Sequence, residues 1–363
     1  MIMELRIARA RIVVLAAFAA IQLAPFPSPV LAAASMPAYE LAASLKVGGE
    51  GGWDYVTLNR DGKLLYVTRS THTMVVNVST GKTVADIPGT RRAHGVALVP
   101  EVGRGFISDG KDGSVIIFDL GTGATLGKVA AAPDADAIIY DPASRHVLVF
   151  CGDAHRMIAI APDVDPKGGK ADATIDLGGS PEFAVTDGQG KVYVNIVDKD
   201  EVAVIDTHAM KVIDRWPVGP GKLPTGLSMD RTTRRLFIGC RNRELVIMNA
   251  DDGKVLAHFP IGTGVDATAF NDGFVLASCA DGTLTFIREV TPDKFEAAKT
   301  LRTEPGARTM AVDPSSGTVY LPTSDLTPAR PATPGNSHPR PMPIPGTFRI
   351  LVVTRSPATE NPR

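Results

Sequence analysis

The sequence predicts an all-β chain, a seven-bladed β-propeller with four antiparallel strands in each blade. Three observations predict it: a repeat of about 40 residues, four short apolar segments in each copy, and one extra strand ahead of the first copy. Glycine and proline (35 and 28 of 363 residues) are spread along the chain, which indicates many turns rather than long helices. Each copy of the repeat is therefore expected to form one sheet.

The repeat has a clear register at the first strand of each copy. Equivalent positions lie 40 to 46 residues apart and occur at Val56, Val96, Ile138, Ala184, Leu227, Thr268 and Met310. Valine and isoleucine alternate with polar residues around these positions, which favours strands over amphipathic helices. Four short strands at this period are typical of a propeller blade.

The seventh copy is one strand short. It offers strands at 309–313, 319–323 and 348–354, after which the repeat ends. The segment 39–47, ahead of the first copy, reads as one strand and can supply the missing fourth one. We therefore expect the N-terminal strand to complete the last blade and close the ring, which leaves no long unpaired edge.

The first 34 residues have the three parts of a bacterial Sec-type signal peptide. Arginines come first, an apolar run follows over 12–23, and small residues end it, with cleavage expected after Ala32 or Ala34. The mature chain is expected to be a single propeller over 35–356 with a short tail at 357–363. No later apolar stretch approaches membrane length, so we expect no membrane span in the mature protein and a periplasmic or secreted location.

Charge disfavours one class of partner. Lysine plus arginine (38) almost cancels aspartate plus glutamate (39), so binding to nucleic acid through bulk positive charge is not expected. The chain is expected to be a monomer whose partner is an unidentified protein, peptide or small molecule.

Two strands carry a family motif. Tyr66-Val67-Thr68 and Tyr193-Val194-Asn195 resemble the Tyr-Val-Thr-Asn signature of the YVTN-repeat propellers, and residues 39–355 resemble the exported YncE-like bacterial proteins of that group. Arg69 stands where asparagine is typical, and other copies replace the tyrosine. The resemblance implies the propeller fold and a binding or scaffolding role, and it implies no shared catalytic motif.

A ring of ionisable residues is expected at one end of the central channel. The position two before each matched first-strand residue should face the mouth. It is occupied by Asp54, His94, Asp136, Glu182, Thr225, Asp266 and Arg308. We call these seven positions the mouth ring. Carboxylates facing one narrow mouth should repel one another, which raises pKa values or recruits a cation.

Three interpretations of the mouth ring stay open at the sequence level. Aspartates at strand starts often cap turns through backbone N–H groups. Alternatively the ring contacts a ligand, with Trp53 beside it able to stack. The third interpretation is a calcium or zinc site built from Asp54, His94, Asp136 and Asp266. The motifs Asp109-Gly-Lys-Asp112-Gly and Asp198-Lys-Asp200 lack the remaining ligands of a calcium loop and are interpreted as ordinary turns.

The three cysteines occupy one repeat position. Cys151, Cys240 and Cys279 each lie at the expected end of the second strand, in blades three, five and six. Neighbouring sheets pack about 10 Å apart, beyond the roughly 7 Å between Cα atoms that a disulfide spans. The sequence therefore predicts three free, partly buried thiols. Trp216, in the last strand of the fourth blade, is expected to anchor packing between blades.

An insertion interrupts blade seven. Residues 324–346 contain seven prolines and join the second and third strands, where other blades use a few residues. Such loops emerge on the face that carries the mouth ring, so the insertion is expected to overhang it, as a lid, a docking segment or a disordered excursion. His338, Arg330 and Arg340 could then reach the ring.

Two functions remain as alternatives. The first is a binding or scaffolding propeller that presents its channel mouth and the Pro-rich loop to a protein, peptide or small ligand. The second is a metal-dependent lyase or hydrolase at the mouth, with His94, Glu182 and Arg308 as catalytic candidates. Quinone-cofactor and serine-hydrolase chemistry are disfavoured because their motifs do not occur.

Overall fold

The structure is a computed structural model that describes residues 39–328 and 341–355. The predicted signal peptide (1–34), the middle of the Pro-rich insertion with His338, Arg330 and Arg340, and the predicted tail (357–363) lie outside the described residues.

Strands make up nearly all regular structure in the described part of the chain. It contains two three-residue 3-10 helices, Pro100–Val102 and Val197–Lys199, and none of its helical segments is long and apolar enough to cross a bilayer. Turns between strands use left-handed residues, as at Gly81 (φ 68°) and Gly123 (φ 72°). The protein is therefore all-β, in agreement with the class that its repeat predicts.

The sheets are antiparallel and mostly four-stranded, which is consistent with a β-propeller. Two sheets come from the middle of the chain: β9 (Ala135–Asp141), β10 (His146–Cys151), β11 (Arg156–Ile160) and β12 (Ala173–Asp176), then β13 (Pro181–Thr186), β14 (Lys191–Ile196), β15 (Glu201–Asp206) and β16 (Lys211–Pro217). Two more follow: β17 (Pro224–Asp230), β18 (Arg235–Cys240), β19 (Glu244–Asn249) and β20 (Val255–Pro260), then β21 (Val265–Asn271), β22 (Phe274–Cys279), β23 (Thr283–Thr291) and β24 (Lys294–Arg302).

One sheet has seven strands because a single long strand belongs to two repeat copies. Its members are β2 (Val56–Leu58), β3 (Leu64–Thr68), β4 (Ser70–Asn77), β5 (Thr83–Val99), β6 (Arg104–Asp109), β7 (Ser114–Asp119) and β8 (Thr125–Ala130). The first half of β5 pairs with β4, as in Ile87 with Thr73, and the second half pairs with β6, as in Val96 with Ile107. Gly89, at φ 105°, lies between the two halves.

The last sheet joins the two ends of the described chain. Its order is β1 (Tyr39–Lys46), β27 (Arg349–Arg355), β26 (Val319–Thr323) and β25 (Ala311–Val312). Strand β1 pairs antiparallel with β27 from Tyr39 opposite Arg355 to Lys46 opposite Arg349. The N-terminal strand therefore lies beside the C-terminal strand, as the seventh repeat copy predicts, while β25 is shorter than the expected 309–313.

The core lies between the faces of neighbouring sheets. The middle strands are almost wholly buried, and aromatic rings fill the wider gaps, as where Tyr39 stacks on Phe286 with ring centroids 4.5 Å apart. Trp216 packs on Tyr193 of its own sheet at 5.9 Å and shares a core cluster with Leu236 and Met248 of the next sheet, which agrees with its predicted role in packing between sheets. Cys151, Cys240 and Cys279 end β10, β18 and β22 as buried free thiols, also as predicted, and burial raises each pKa to about 12.

Candidate functional site at the channel mouth

Side chains of the second strands fix the backbone of the mouth ring. The third position of the Tyr-Val-Thr-Asn motif is a hydroxyl or amide residue in four repeat copies, and each one donates to the main-chain carbonyl of a ring residue in the next copy. These bonds run from Thr68 to His94, Ser108 to Asp136, Asn195 to Thr225 and Ser278 to Arg308. We call them the latch bonds. Every donor is buried, so the latch bonds hold the ring backbone away from competing solvent.

His94 lies between two carboxylates. Its Nδ1 is 2.6 Å from Asp54 Oδ2 and 3.1 Å from Asp136 Oδ1, and its side chain is only 6% exposed. Burial lowers the pKa of His94, but the hydrogen bonds and charges of Asp136 and Asp54 outweigh it and raise the pKa to about 10. Burial in turn raises the pKa of Asp136, against the opposing effect of His94. The group is a buried imidazolium shared by two carboxylates.

The other imidazole nitrogen faces away from these carboxylates. Nε2 is buried without a hydrogen-bond partner, and a methyl group added at Gly110 would lie 2.8 Å from it. A side chain at position 110 would therefore collide with this ring, whose Nδ1 is directed to Asp54 and Asp136.

Arg308 forms a second charged group on the opposite side of Asp54. Its Nε donates to Asp266 Oδ2 at 2.7 Å, one terminal nitrogen donates to the carbonyl of Trp53 at 3.0 Å, and Asp54 Oδ1 lies 3.9 Å away. Burial lowers the pKa of Arg308, but Asp266 and Asp54 outweigh it and raise the pKa; burial raises the pKa of Asp266. The Arg308 guanidinium also lies over the Trp53 ring, 5.5 Å from its centroid.

Glu182 has a partner at a longer distance, Arg241, which the sequence analysis did not single out. Arg241, in the turn after β18, places one terminal nitrogen 3.4 Å from Glu182 Oε1, and its side chain is 40% exposed. Burial raises the pKa of Glu182 to about 8, with Asp136 and Asp266 adding to the rise and Arg241 opposing it.

A sequence signal for Arg241 existed in the same repeat register. Its equivalents in the other six copies are all short or apolar: Ser70, Gly110, Gly152, Val197, Ala280 and Ser324. Arg241 is thus the one long cationic side chain at this repeat position.

Two aromatic side chains, each next to a mouth-ring residue in the sequence, meet beside the ring carboxylates. Tyr55 and Phe183 meet edge to face with ring centroids 5.0 Å apart, and Tyr55 is buried. Burial, followed by the charges of Glu182, Asp136 and other ring carboxylates, raises the pKa of Tyr55 well above its usual value. The equivalents of this pair are small: Gly95, Ala137, Gly226, Ala267 and Thr309. The aromatic pair therefore supplies the two large side chains at this repeat position, next to the ring carboxylates.

A pocket of about 380 Å³ opens beside Arg308. Charged groups on its wall are Arg241, Asp266 and Arg308, and apolar groups include Trp53 and Val265. The described ends of the Pro-rich insertion complete the wall with Leu326, Pro341 and Pro343. Leu326 and Pro343 form an isolated antiparallel β-bridge. The described part of the insertion thus lies at the mouth, as its position in the repeat predicts.

The predicted site residues fall into three groups. Asp54, His94 and Asp136 cluster together; Trp53, Asp266 and Arg308 line the pocket; and Glu182 pairs with Arg241. Thr225, the ring member with no charge, is wholly buried, and its hydroxyl donates to the carbonyl of Val265.

The turn motifs behave as capping groups. Asp109 accepts the main-chain N–H groups of Arg91 and Arg92, and Asp198 accepts that of Ser180. Asp200 does the same for Leu223. The first motif follows β6 as a turn, as expected, whereas Asp198 lies in the 3-10 helix Val197–Lys199 and Asp200 ends it.

One group among the described residues has the composition and spacing of a metal site. The candidate ligand atoms of Asp54, His94 and Asp136 lie within 4.8 Å of one another. Asp266, also predicted as a ligand, is instead paired with Arg308.

Comparisons with known proteins bear on the fold alone. No protein-family model matches the chain, and no curated protein matches it. Many solved structures are similar in fold, among them hydrazine synthase from Kuenenia stuttgartiensis, with a TM-score of 0.64 and 12% sequence identity over 75% of this chain and 92% of that one. At this identity the likeness supports a propeller-like fold and carries no activity to this chain.

Proposed function

We propose that this protein is an exported, seven-bladed propeller of the YVTN-repeat, YncE-like type that binds a small ligand at its channel mouth. The seven-stranded sheet counts as two blades that share β5, and the other five sheets supply one blade each. Contacts between the first and last copies support closure of the ring: Thr309 donates to the carbonyl of Asp54 at 2.9 Å, and Arg308 contacts Trp53.

The pocket beside Arg308 is the observation that carries the binding function. It combines an indole face, aliphatic and proline walls, and a few charged groups, which is the usual make-up of a small-molecule site. Its volume of about 380 Å³ lies at the lower end of the range for such sites. Its floor is fixed by ion pairs and latch bonds, so the site is formed before a ligand arrives.

Fluorescence of Trp53 tests this function directly. The chain has two tryptophans, and Trp216→Phe leaves Trp53, on the pocket wall, as the single reporter. A small-molecule library screened on this variant should yield compounds that change Trp53 emission. Adding Ala280→Phe should abolish their binding because Ala280 lines the same pocket.

The matched control is Ala131→Phe, which places the same bulk in a separate surface depression between the second and third copies. It should leave binding unchanged. If no compound binds, or if binding survives Ala280→Phe, the pocket is not the site.

Export rests on the N-terminal 34 residues and is tested by cell fractionation. We expect the mature protein in the periplasm or medium, with its first residue at 33 or 35 by N-terminal sequencing. Recovery of full-length protein from the cytoplasm would refute the signal peptide.

The Asp54–His94–Asp136 group favours a second candidate, a metal-dependent lyase or hydrolase. These residues would hold a calcium or zinc ion that polarises the substrate, while Arg308 binds an anionic group and Glu182 acts as the acid. A metal would first have to displace the proton on His94 Nδ1, which the raised pKa of about 10 opposes at neutral pH. We therefore place this function second.

Elemental analysis of protein purified without chelator separates the two candidates. One equivalent of metal, lost in Asp136→Asn, would favour the enzyme. If the protein holds less than a tenth of an equivalent of metal, even after incubation with zinc or calcium at pH 8, the ligand-binding function is favoured.

A further inference from the structure

We propose that the pocket beside Arg308 selects a monocarboxylate with an apolar body, and that Arg241 is the residue that binds the carboxylate. This inference rests on the proposed binding function and adds the chemical class of the ligand. It is carried by the contrast between two arginines that line the same pocket.

Arg308 already has an ionised partner within the chain. It is paired with Asp266 at 2.7 Å, donates to the carbonyl of Trp53 and lies over the indole ring. Its side chain is 23% exposed and its partner Asp266 is 18% exposed. This pair cancels its own charge, so it shapes the pocket and adds no net attraction for an ion.

Arg241 is the available cation. Its one close carboxyl group, on Glu182, is 3.4 Å away, longer than the 2.7–3.2 Å of a good N–H···O bond. At neutral pH that carboxyl is mostly protonated, because burial raises the pKa of Glu182 to about 8. A guanidinium that borders an apolar pocket without an ionised partner at hydrogen-bond distance favours an anion.

The remaining walls specify the rest of the ligand. Trp53, Val265, Leu326, Pro341 and Pro343 present apolar surface on the other sides of the pocket. The Arg241 guanidinium, whose carboxyl partner is mostly protonated at neutral pH, suits a single negative charge, and the apolar walls suit a short alkyl or aryl group. A dianion such as phosphate would have to share the space with Asp266 without a second free cation.

The test uses three probes of one shape on the Trp216→Phe protein: hexanoate, hexanamide and hexylamine. Hexanoate should bind about 10- to 100-fold more tightly than the neutral and cationic probes, which is the range of one charge-assisted hydrogen bond. Arg241→Gln should remove this preference. Arg243→Gln, in the same turn but outside the pocket lining, should keep it.

The pH dependence gives a readout that a merely structural role of Arg241 would not produce. Glu182 faces Asp54, Asp136, Asp266 and Arg241, and His94 and Arg308 complete the charged mouth. As Glu182 ionises between pH 7 and 9, it competes for Arg241, so hexanoate affinity should fall about tenfold. His94 stays charged over this range because its pKa is about 10. Glu182→Gln should make the affinity independent of pH over the same range.

The outcomes distinguish the inference from the function beneath it. If hexanamide or hexylamine binds as tightly as hexanoate, and Ala280→Phe blocks that binding, the pocket is a ligand site but the carboxylate assignment is wrong. If Arg241→Gln leaves the preference for hexanoate intact, Arg241 is not the receptor. If neither these probes nor the library changes Trp53 emission, the binding function itself fails.

Discussion

At the scale of single residues, charges at the mouth are paired within the chain. Four carboxylates converge there, and three cations, His94, Arg241 and Arg308, lie against them. Burying a charge away from water is costly, so each of these charges needs an oppositely charged group of the protein close to it. Burial is the main cause that raises the pKa values of Asp136, Glu182 and Asp266, and the charges of neighbouring carboxylates add to the rise.

We expect His94→Asn to destabilise the protein by about 3–5 kcal/mol at pH 7, because it leaves Asp54 and Asp136 facing each other without a cation. The folded pKa of His94 is raised to about 10 from a usual value of 6.5. Its stabilising contribution is therefore complete below pH 6.5 and is lost as the pH rises through 10. Urea denaturation of both proteins at pH 6, 8 and 10 measures this, and the difference should shrink with pH.

His258→Asn is the control for that experiment. His258 pairs with Glu244 at 3.1 Å but is 55% exposed, so its loss should cost less than about 1 kcal/mol. Equal effects of the two substitutions, or a His94→Asn effect that does not change with pH, would contradict a buried imidazolium.

At the scale of elements, the short strand β1 contributes strongly to the stability of the last sheet. It covers the edge of β27, buries Tyr39 against Phe286, and its first carbonyl accepts a hydrogen bond from Lys299 at 2.8 Å. Without it, the apolar strand β27 would become an open edge available to another chain.

Deleting residues 39–46 should therefore lower the melting temperature by at least about 10 °C and produce dimers or aggregates. Adding the peptide of residues 39–47 in trans should restore a monomer by strand addition. Size-exclusion chromatography and thermal melts measure both effects, with a scrambled peptide of the same composition as control. A truncated protein that stays monomeric with an unchanged melting temperature would show that β1 is dispensable.

At the scale of the whole molecule, the protein has a second pocket, of about 760 Å³, with Phe183 on its wall. Apolar side chains such as Leu58, Leu98 and Ile139 line it together with the charged groups of Arg60, Asp61, Glu101 and Arg231.

A circular permutant tests the closed ring. Because Tyr39 lies directly opposite Arg355, a linker of about four glycine and serine residues can join them. With new ends between the exposed residues Lys167 and Gly168, the permutant should fold and melt within about 5 °C of the original. Thermal melts followed by circular dichroism check this.

The control permutant has its new ends between Tyr193 and Val194, in the buried strand β14, and should not fold. If the first permutant also fails to fold, the two ends are not joined in one sheet in the way that we propose.

The sequence by itself determined the features that recur in each copy of the repeat. Strand type follows from side-chain alternation, which is a local property, and one repeat register located the mouth ring and placed all three cysteines at strand ends. That register also held the signals for Arg241 and for Tyr55 with Phe183, since each is a large side chain among small equivalents.

Only the tertiary structure decided which side chains of neighbouring copies meet. The spacing of the repeat gives each ring residue the same place in its own blade, but a contact such as Arg241 with Glu182 joins residues 59 apart through space. It depends on the reach and rotamer of each side chain and on the charges already present. For the same reason the fold could be predicted from the sequence, whereas the pairing of charges that makes Arg241 the available cation could not.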